Sequence, residues 1–251
     1  MKKNASTKKV LLVAGCSHSC GHELEAAEVH YSQYNIDNSF GGILSKIFDL
    51  KHVNIACVGC SNKVIISNVV HHVDLLLTEY DPKEIIVLVG WTGFARSEMM
   101  LDNQLYNFSI NSDQHPKWML RPRALRKYHK AWQKLLDKQL LNNDHILNYT
   151  LLKSFLDVRQ IDYFFFNAVD CLEQPYRDFF HIHDDFRTNF IGYQAARDDP
   201  KYFYACNVEH TFYKYLKQRF DPCQDGRWHH FGKEAHLKWA EIIEPLIRKH
   251  I

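Results

Sequence analysis

Long hydrophobic runs are missing from this chain. No apolar stretch approaches the roughly 18 residues that a membrane-spanning helix needs, so no membrane partner is expected. The amino terminus, MKKNASTKKVLLVAGC, imitates a secretory leader with its basic start. Its apolar part, Val10 to Ala14, is shorter than a leader core and reads as a first strand. Charge of one sign is missing too: 31 Lys and Arg stand against 29 Asp and Glu, a net charge of +2. That balance gives no reason to expect nucleic acid or an anionic surface as partner, and the basic stretch Lys117 to Lys130 reads as a solvated helix face. A regular cysteine framework is also absent, because the seven cysteines are odd in number and irregularly spaced. This favours a reducing compartment over a disulfide-stapled secreted fold, and a cytoplasmic location is expected. Internal repeats and low-complexity linkers are lacking, so residues 1–251 read as a single domain with long excursions at about 94–125 and 171–205.

What is present suits a packed α/β core: 46% hydrophobic and 14% aromatic residues in 251. The run Val10 to Ala14 predicts a buried strand that ends in a small polar loop, Gly15-Cys16-Ser17-His18-Ser19-Cys20-Gly21. Glu23 to Asn38 reads as polar and irregular, and Phe40 to Phe48 as helical. His52 to Cys57 predicts a second strand, running into Val58-Gly59-Cys60-Ser61-Asn62. A helix follows from Ser61 to Tyr80, with Ser61 as N-cap and Ile65, Ile66, Val69, Val70, Val73 and Leu76 on one stripe. Asp81-Pro82 breaks it. Glu84 to Val89 predicts a third strand, which leads into Gly90-Trp91-Thr92-Gly93. Three strands separated by helices, each closing on a glycine-containing polar loop, specify a parallel sheet. Further on, Leu125 to Gln160 reads as two helices broken near Asn142-Asn143. Asp162 to Asn167 reads as a fourth strand, Val208 to Arg219 as a helix, and Gly232 to the carboxyl terminus as the last helix.

Ligands in open α/β sheets sit beyond the carboxyl ends of the strands, which makes the Ser17 loop a candidate site. The loop Asp221 to Gly232, DPCQDGRWHHFG, brings Asp225 close to His229 and His230 in the chain. A serine hydroxyl needs a base to take its proton, and a carboxylate to orient that base. Serine, histidine and aspartate are therefore all on offer.

The order of these segments resembles the SGNH (GDSL-type) hydrolases. Gly15-Cys16-Ser17-His18-Ser19-Cys20-Gly21 matches their first block, Gly-Asp-Ser-x-x-x-Gly, with Cys16 where the family has aspartate. Asn54 to Gly59 matches the second block. Gly90-Trp91-Thr92 stands where the family has Gly-x-Asn, and Asp225 to His236 stands for the last block. The resemblance runs from Gly15 to Ala240 and is closest to a divergent branch with GCS, GWT and HFG-like blocks, as seen in phage and environmental sequences. It implies a flavodoxin-like three-layer α/β/α sandwich around a parallel sheet. It further implies Ser17 as nucleophile, His230 as base with His229 as its alternate, and Asp225 as the orienting acid. The Ser17 and Gly59 amides would receive the oxyanion, with Thr92 or Asn62 in place of the family's third donor.

The activity so implied is a serine esterase acting on a small-molecule O-acyl ester, carbohydrate esters included. A non-catalytic ligand-binding protein or an acyltransferase on the same fold is the alternative. No cofactor and no metal are expected. Cys16 and Cys20 with Cys57 and Cys60 have a spacing that permits zinc, but small residues at strand ends are also where free cysteine packs well. His181, His183 and Asp184 read as solvated.

Overall fold

VLLVAG at residues 10–15 and IIVLVGW at 85–91 are apolar without alternation, as strands covered on both faces are. Both are wholly buried, as β1 (Val10–Gly15) and β3 (Ile85–Trp91). This computed structural model describes residues 8–26, 29, 31–101, 104–109, 127–128, 130–131, 134, 138–172, 185–222, 230–249 and 251. Between β1 and β3 lie α1 (Ser17–Cys20), α2 (Gln33–Asn38), α3 (Phe40–Ile47), β2 (Lys51–Asn54) and α4 (Asn62–Leu76). After β3 come β4 (Arg96–Leu101), β5 (Gln104–Ser109), α5 (Lys138–Val158), β6 (Asp162–Asn167), α6 (Asp185–Asp198), β7 (Tyr202–Phe203), α7 (Phe212–Lys217) and α8 (Lys233–Arg248).

The main sheet has the order β2-β1-β3-β6-β7, and every pair in it is parallel. In chain order this is the flavodoxin-like 2-1-3-4-5 arrangement. Its topological switch point lies between β1 and β3, where ligand sites form in such folds. Helices flank both faces, giving a three-layer α/β/α sandwich. The alternation of side chains along β6 shows how the layers are filled. Phe166 meets Phe40 of α3 and Trp239 of α8, each at 5.4 Å between ring centres. Phe165 faces the other way, 5.4 Å from Trp91 and 5.7 Å from Tyr149 of α5.

Several expectations about elements change. The helix at 138–158 runs unbroken through Asn142 and Asn143; Asn142 is buried, so tertiary packing overrides the weak helix propensity of the pair. Part of the segment expected to be irregular after Glu23 is α2, capped by the Ser32 hydroxyl, which accepts from the Asn35 N–H at 3.1 Å. The first excursion contains the antiparallel hairpin β4–β5. The expected helix at 208–219 divides into a short 3₁₀ turn, Val208–His210, and α7, because Thr211 takes an extended conformation and caps the second piece. Among the described residues no helix is long and apolar enough to cross a membrane.

Candidate active site

At the switch point, Gly15 of β1 lies in register with Gly90 of β3. Gly15 has φ +149°, and a β-carbon there would come within 2.8 Å of the Gly90 carbonyl, so only glycine lets the chain leave the strand at this place. Cys16 is fully buried in the core, and Ser17 opens the single-turn helix α1. That turn closes on Gly21 in the left-handed region at φ 70°. The His22 N–H then donates to the Ser17 carbonyl at 3.1 Å. Gly21 folds the chain back, so His22 and Glu23 stay beside α1.

His230 meets this turn from the other end of the chain. Its Nδ1 lies 2.9 Å from Glu23 Oε2, and its ring centre lies 4.5 Å from His22 and 5.3 Å from His18. Glu23 is 3% exposed and has φ 63°, an uncommon conformation for a residue other than glycine. A buried carboxylate on a ring nitrogen fixes which tautomer the imidazole adopts. His18 is held neutral, well below the ordinary histidine range, first by its burial and then by His230. His236 is pushed down to about 3 by burial, with His230 again adding to it. Its Nδ1 accepts the Phe40 N–H at 3.2 Å, which ties α8 to the start of α3.

The second expected oxyanion donor, Gly59, belongs to the turn Cys57 to Cys60, beside the end of β1. The Cys57 N–H donates to the Gly15 carbonyl at 2.9 Å, and Gly59 has φ +74° with open space where a β-carbon would stand. Asn62 and Thr92 are engaged with each other. Asn62 Oδ1 accepts the Thr92 N–H at 2.9 Å, and Asn62 Nδ2 lies 3.4 Å from both the Thr92 carbonyl and His145 Nδ1. The chain of donors continues inward. His145 Nε2 is 2.8 Å from the Tyr202 hydroxyl, which donates to Asn167 Oδ1 at 2.7 Å, and Asn167 donates to the Ala205 carbonyl at 2.9 Å. Because Tyr202 spends its proton on Asn167, His145 donates through Nε2 and accepts from Asn62 through Nδ1. Burial pushes His145 down to about 3, in keeping with that neutral state.

Of the residues expected in the site, Asp225 and His229 lie outside the described residues, as do His181, His183 and Asp184. Ser17 and His230 are brought to the same turn. Sequence reasoning missed Glu23, the carboxylate on His230, because the segment after the first block reads as irregular; its one signal is a His-Glu pair directly after the Gly21 turn. His22, Glu23 and His230 also bring their donor atoms within 4.8 Å of one another, the one such group of three among the described residues. This donor set suits a divalent transition metal.

A family model described as a family of unknown function, DUF6071, matches residues 23–179, well over half of the chain. The chain belongs to the DUF6071 family. The matched part of this DUF6071 member begins at Glu23, so it leaves out both Ser17 and His230. No curated protein sequence matches the chain. Among solved structures, the chain is similar to a carbohydrate esterase whose active site has catalytic and non-catalytic binding functions. That similarity has 11% identity, covers 98% of this chain and 70% of the other, and has a TM-score of 0.47. It is also similar to the psychrotrophic esterase EstA from Pseudoalteromonas sp., at 13% identity over 96% of this chain and 98% of the other, with a TM-score of 0.47. A third, an acetyl xylan esterase (Est2A) from the rumen bacterium Butyrivibrio proteoclasticus, has 14% identity over 98% of this chain and 66% of the other, with a TM-score of 0.44. At such low identity and TM-score, no residue role transfers from these proteins to this one.

Proposed function

We propose that the chain is a serine hydrolase of small O-acyl esters, with Ser17 as nucleophile, His230 as general base and Glu23 as the carboxylate that orients the base. The observation that carries this reading is the 2.9 Å contact of His230 Nδ1 with the buried Glu23 carboxylate, on the turn that begins at Ser17. In this reading Nδ1 is held by Glu23 and Nε2 takes the Ser17 proton as Oγ attacks the acyl carbonyl. Glu23 then stabilises the imidazolium, which returns its proton to the leaving alcohol. Ser17 is the first residue of α1, so its N–H has no carbonyl of its own helix to bond. That amide and the Gly59 amide serve the oxyanion. Water releases the acyl group by the same steps in reverse order. Carbohydrate esters are the substrate class suggested by the SGNH resemblance.

A fluorophosphonate probe tests the reading. Covalent labelling of Ser17, lost in Ser17→Ala, is the expected result; a folded wild-type protein that stays unlabelled and turns over no nitrophenyl acetate overturns it.

A metal-dependent hydrolase is a second reading, favoured by the His22, Glu23 and His230 donor set. It predicts stoichiometric metal by elemental analysis and ester turnover that chelation abolishes and Ser17→Ala spares. The serine reading predicts the opposite on all three counts.

A further inference from the structure

Cys57-Val58-Gly59-Cys60 forms a tight turn in which the Cys60 N–H donates to the Cys57 carbonyl at 3.4 Å. Gly59, in the left-handed region, allows the turn to close. A turn of this kind holds the α-carbons of its first and last residues within about 7 Å, inside the reach of a disulfide. Their surroundings differ sharply. Cys60 is fully buried, with Sγ 3.3 Å from the Gly15 carbonyl. Cys57 is only half-buried. Beside it lies Tyr31, an exposed side chain whose hydroxyl accepts the Val58 N–H at 2.9 Å.

We propose that Cys57 and Cys60 are a redox-active dithiol, with Cys57 the thiol that attacks a hydroperoxide and Cys60 the thiol that resolves it into an intramolecular disulfide. An accessible sulfur backed, on the same tight turn, by a second sulfur that solvent does not reach is the arrangement this chemistry needs. The neighbouring Cys60 and then Tyr31 lower the Cys57 thiol from an ordinary 9.0 to about 6, which favours its thiolate. Cys60 is raised by its contact with Cys57 and by burial, and it keeps its proton until it is needed.

In the first step the Cys57 thiolate forms a bond to one peroxide oxygen as the O–O bond breaks. The departing hydroxide takes a proton from solvent, and Cys57 is left as a sulfenic acid. In the second, the Cys60 sulfur bonds to the Cys57 sulfur and the S–O bond breaks. The hydroxyl leaves as water with the Cys60 proton. Two thiols are oxidised, and one peroxide is reduced to two waters.

This site is separate in chemistry from the proposed hydrolase, and its test does not involve Ser17. Lys51 and Lys63 bracket both thiols, so trypsin releases them in one peptide, His52 to Lys63, that contains none of the other cysteines. The reduced full-length protein is treated with limiting hydrogen peroxide, alkylated and digested. That peptide is expected to lose two hydrogens and escape alkylation before any other cysteine does. In Cys60→Ser, peroxide is expected to leave Cys57 as a sulfenic acid that dimedone traps. A separate measurement on the wild-type protein removes any dependence on how that variant folds: the pH profile of Cys57 alkylation by iodoacetamide should have its midpoint near 6. A peptide that stays in the dithiol form while other cysteines oxidise, or an alkylation midpoint near 9, overturns the proposal.

Discussion

The decisive residue is Glu23. It is 3% exposed, and a carboxylate so placed is costly unless it is paired. His230, at 2.9 Å, and His22, with Nε2 at 3.8 Å, are among the groups facing it. If Glu23 orients the base, Glu23→Gln keeps the shape of the side chain but removes the charge that stabilises the imidazolium. Turnover of nitrophenyl acetate should then fall by about 10²- to 10⁴-fold in kcat with KM little changed, the scale seen when the acid of a triad is neutralised. A variant with unaltered kcat would show that the contact is structural. Ser17→Ala belongs to the same scale and should remove both turnover and probe labelling while the melting temperature holds. Sequence reasoning singled out Ser17 and His230 because both carry motif neighbours, Gly15 and Gly21 for the one and His236 for the other. Glu23 has no such neighbours. It is close to His230 only because Gly21 turns the chain and α8 packs against α3.

Among the elements, α4 is the one whose entry matters most. Its start carries the Ser61 cap, whose hydroxyl accepts the Val64 N–H at 3.3 Å. Next to it stands the Asn62 clamp on Thr92, which fastens the helix to the end of β3. Ser61→Ala should cost about 1 kcal/mol, the usual worth of an N-cap, read as a lower urea midpoint at unchanged slope. Asn62→Ala should cost more, because it strips partners from the buried Thr92 backbone and from His145. Each buried group left unsatisfied costs about 1–3 kcal/mol. The same variant separates two roles for Asn62. A clamp loses stability and leaves per-molecule kcat close to wild type at low temperature, whereas an oxyanion donor loses kcat by about 10²-fold or more with little change in stability. The Ser61 cap was legible from residue type and position alone. The clamp was not, since Thr92 stands 30 positions along the chain from Asn62.

For the molecule as a whole, buried histidines set the response to acid. His52 is pushed down to about 4 by burial, His145 and His236 to about 3, and His18 well below its ordinary value. All four have folded values below that of an unfolded histidine, about 6.5, so the unfolded chain binds more protons across that interval. The stability these four contribute is therefore full above about pH 6.5 and falls as pH drops toward 3. Each of the four contributes a slope of up to about 1.4 kcal/mol per pH unit. Melting temperature should drop steeply between pH 6 and 5. A melting temperature that holds through pH 5 would contradict the burial of these four imidazoles as neutral groups.

The identity of β1, β2, β3 and β6 and their parallel arrangement were determined by local pattern, whereas the β4–β5 hairpin and β7 were not. Runs such as VLLVAG, EIIVLV and DYFFFN have too many consecutive apolar residues to be anything but strands covered on both faces, and the loops between them announce where they stop. Only the tertiary structure decided which carboxylate meets His230, how Asn62 is spent, and that a helix passes straight through Asn142 and Asn143. Periodicity records which face of an element is apolar, and that is fixed by nearest neighbours in the chain. Pairing between side chains two hundred positions apart depends instead on how α3 and α8 stack on one face of the sheet, and no local pattern encodes that distance.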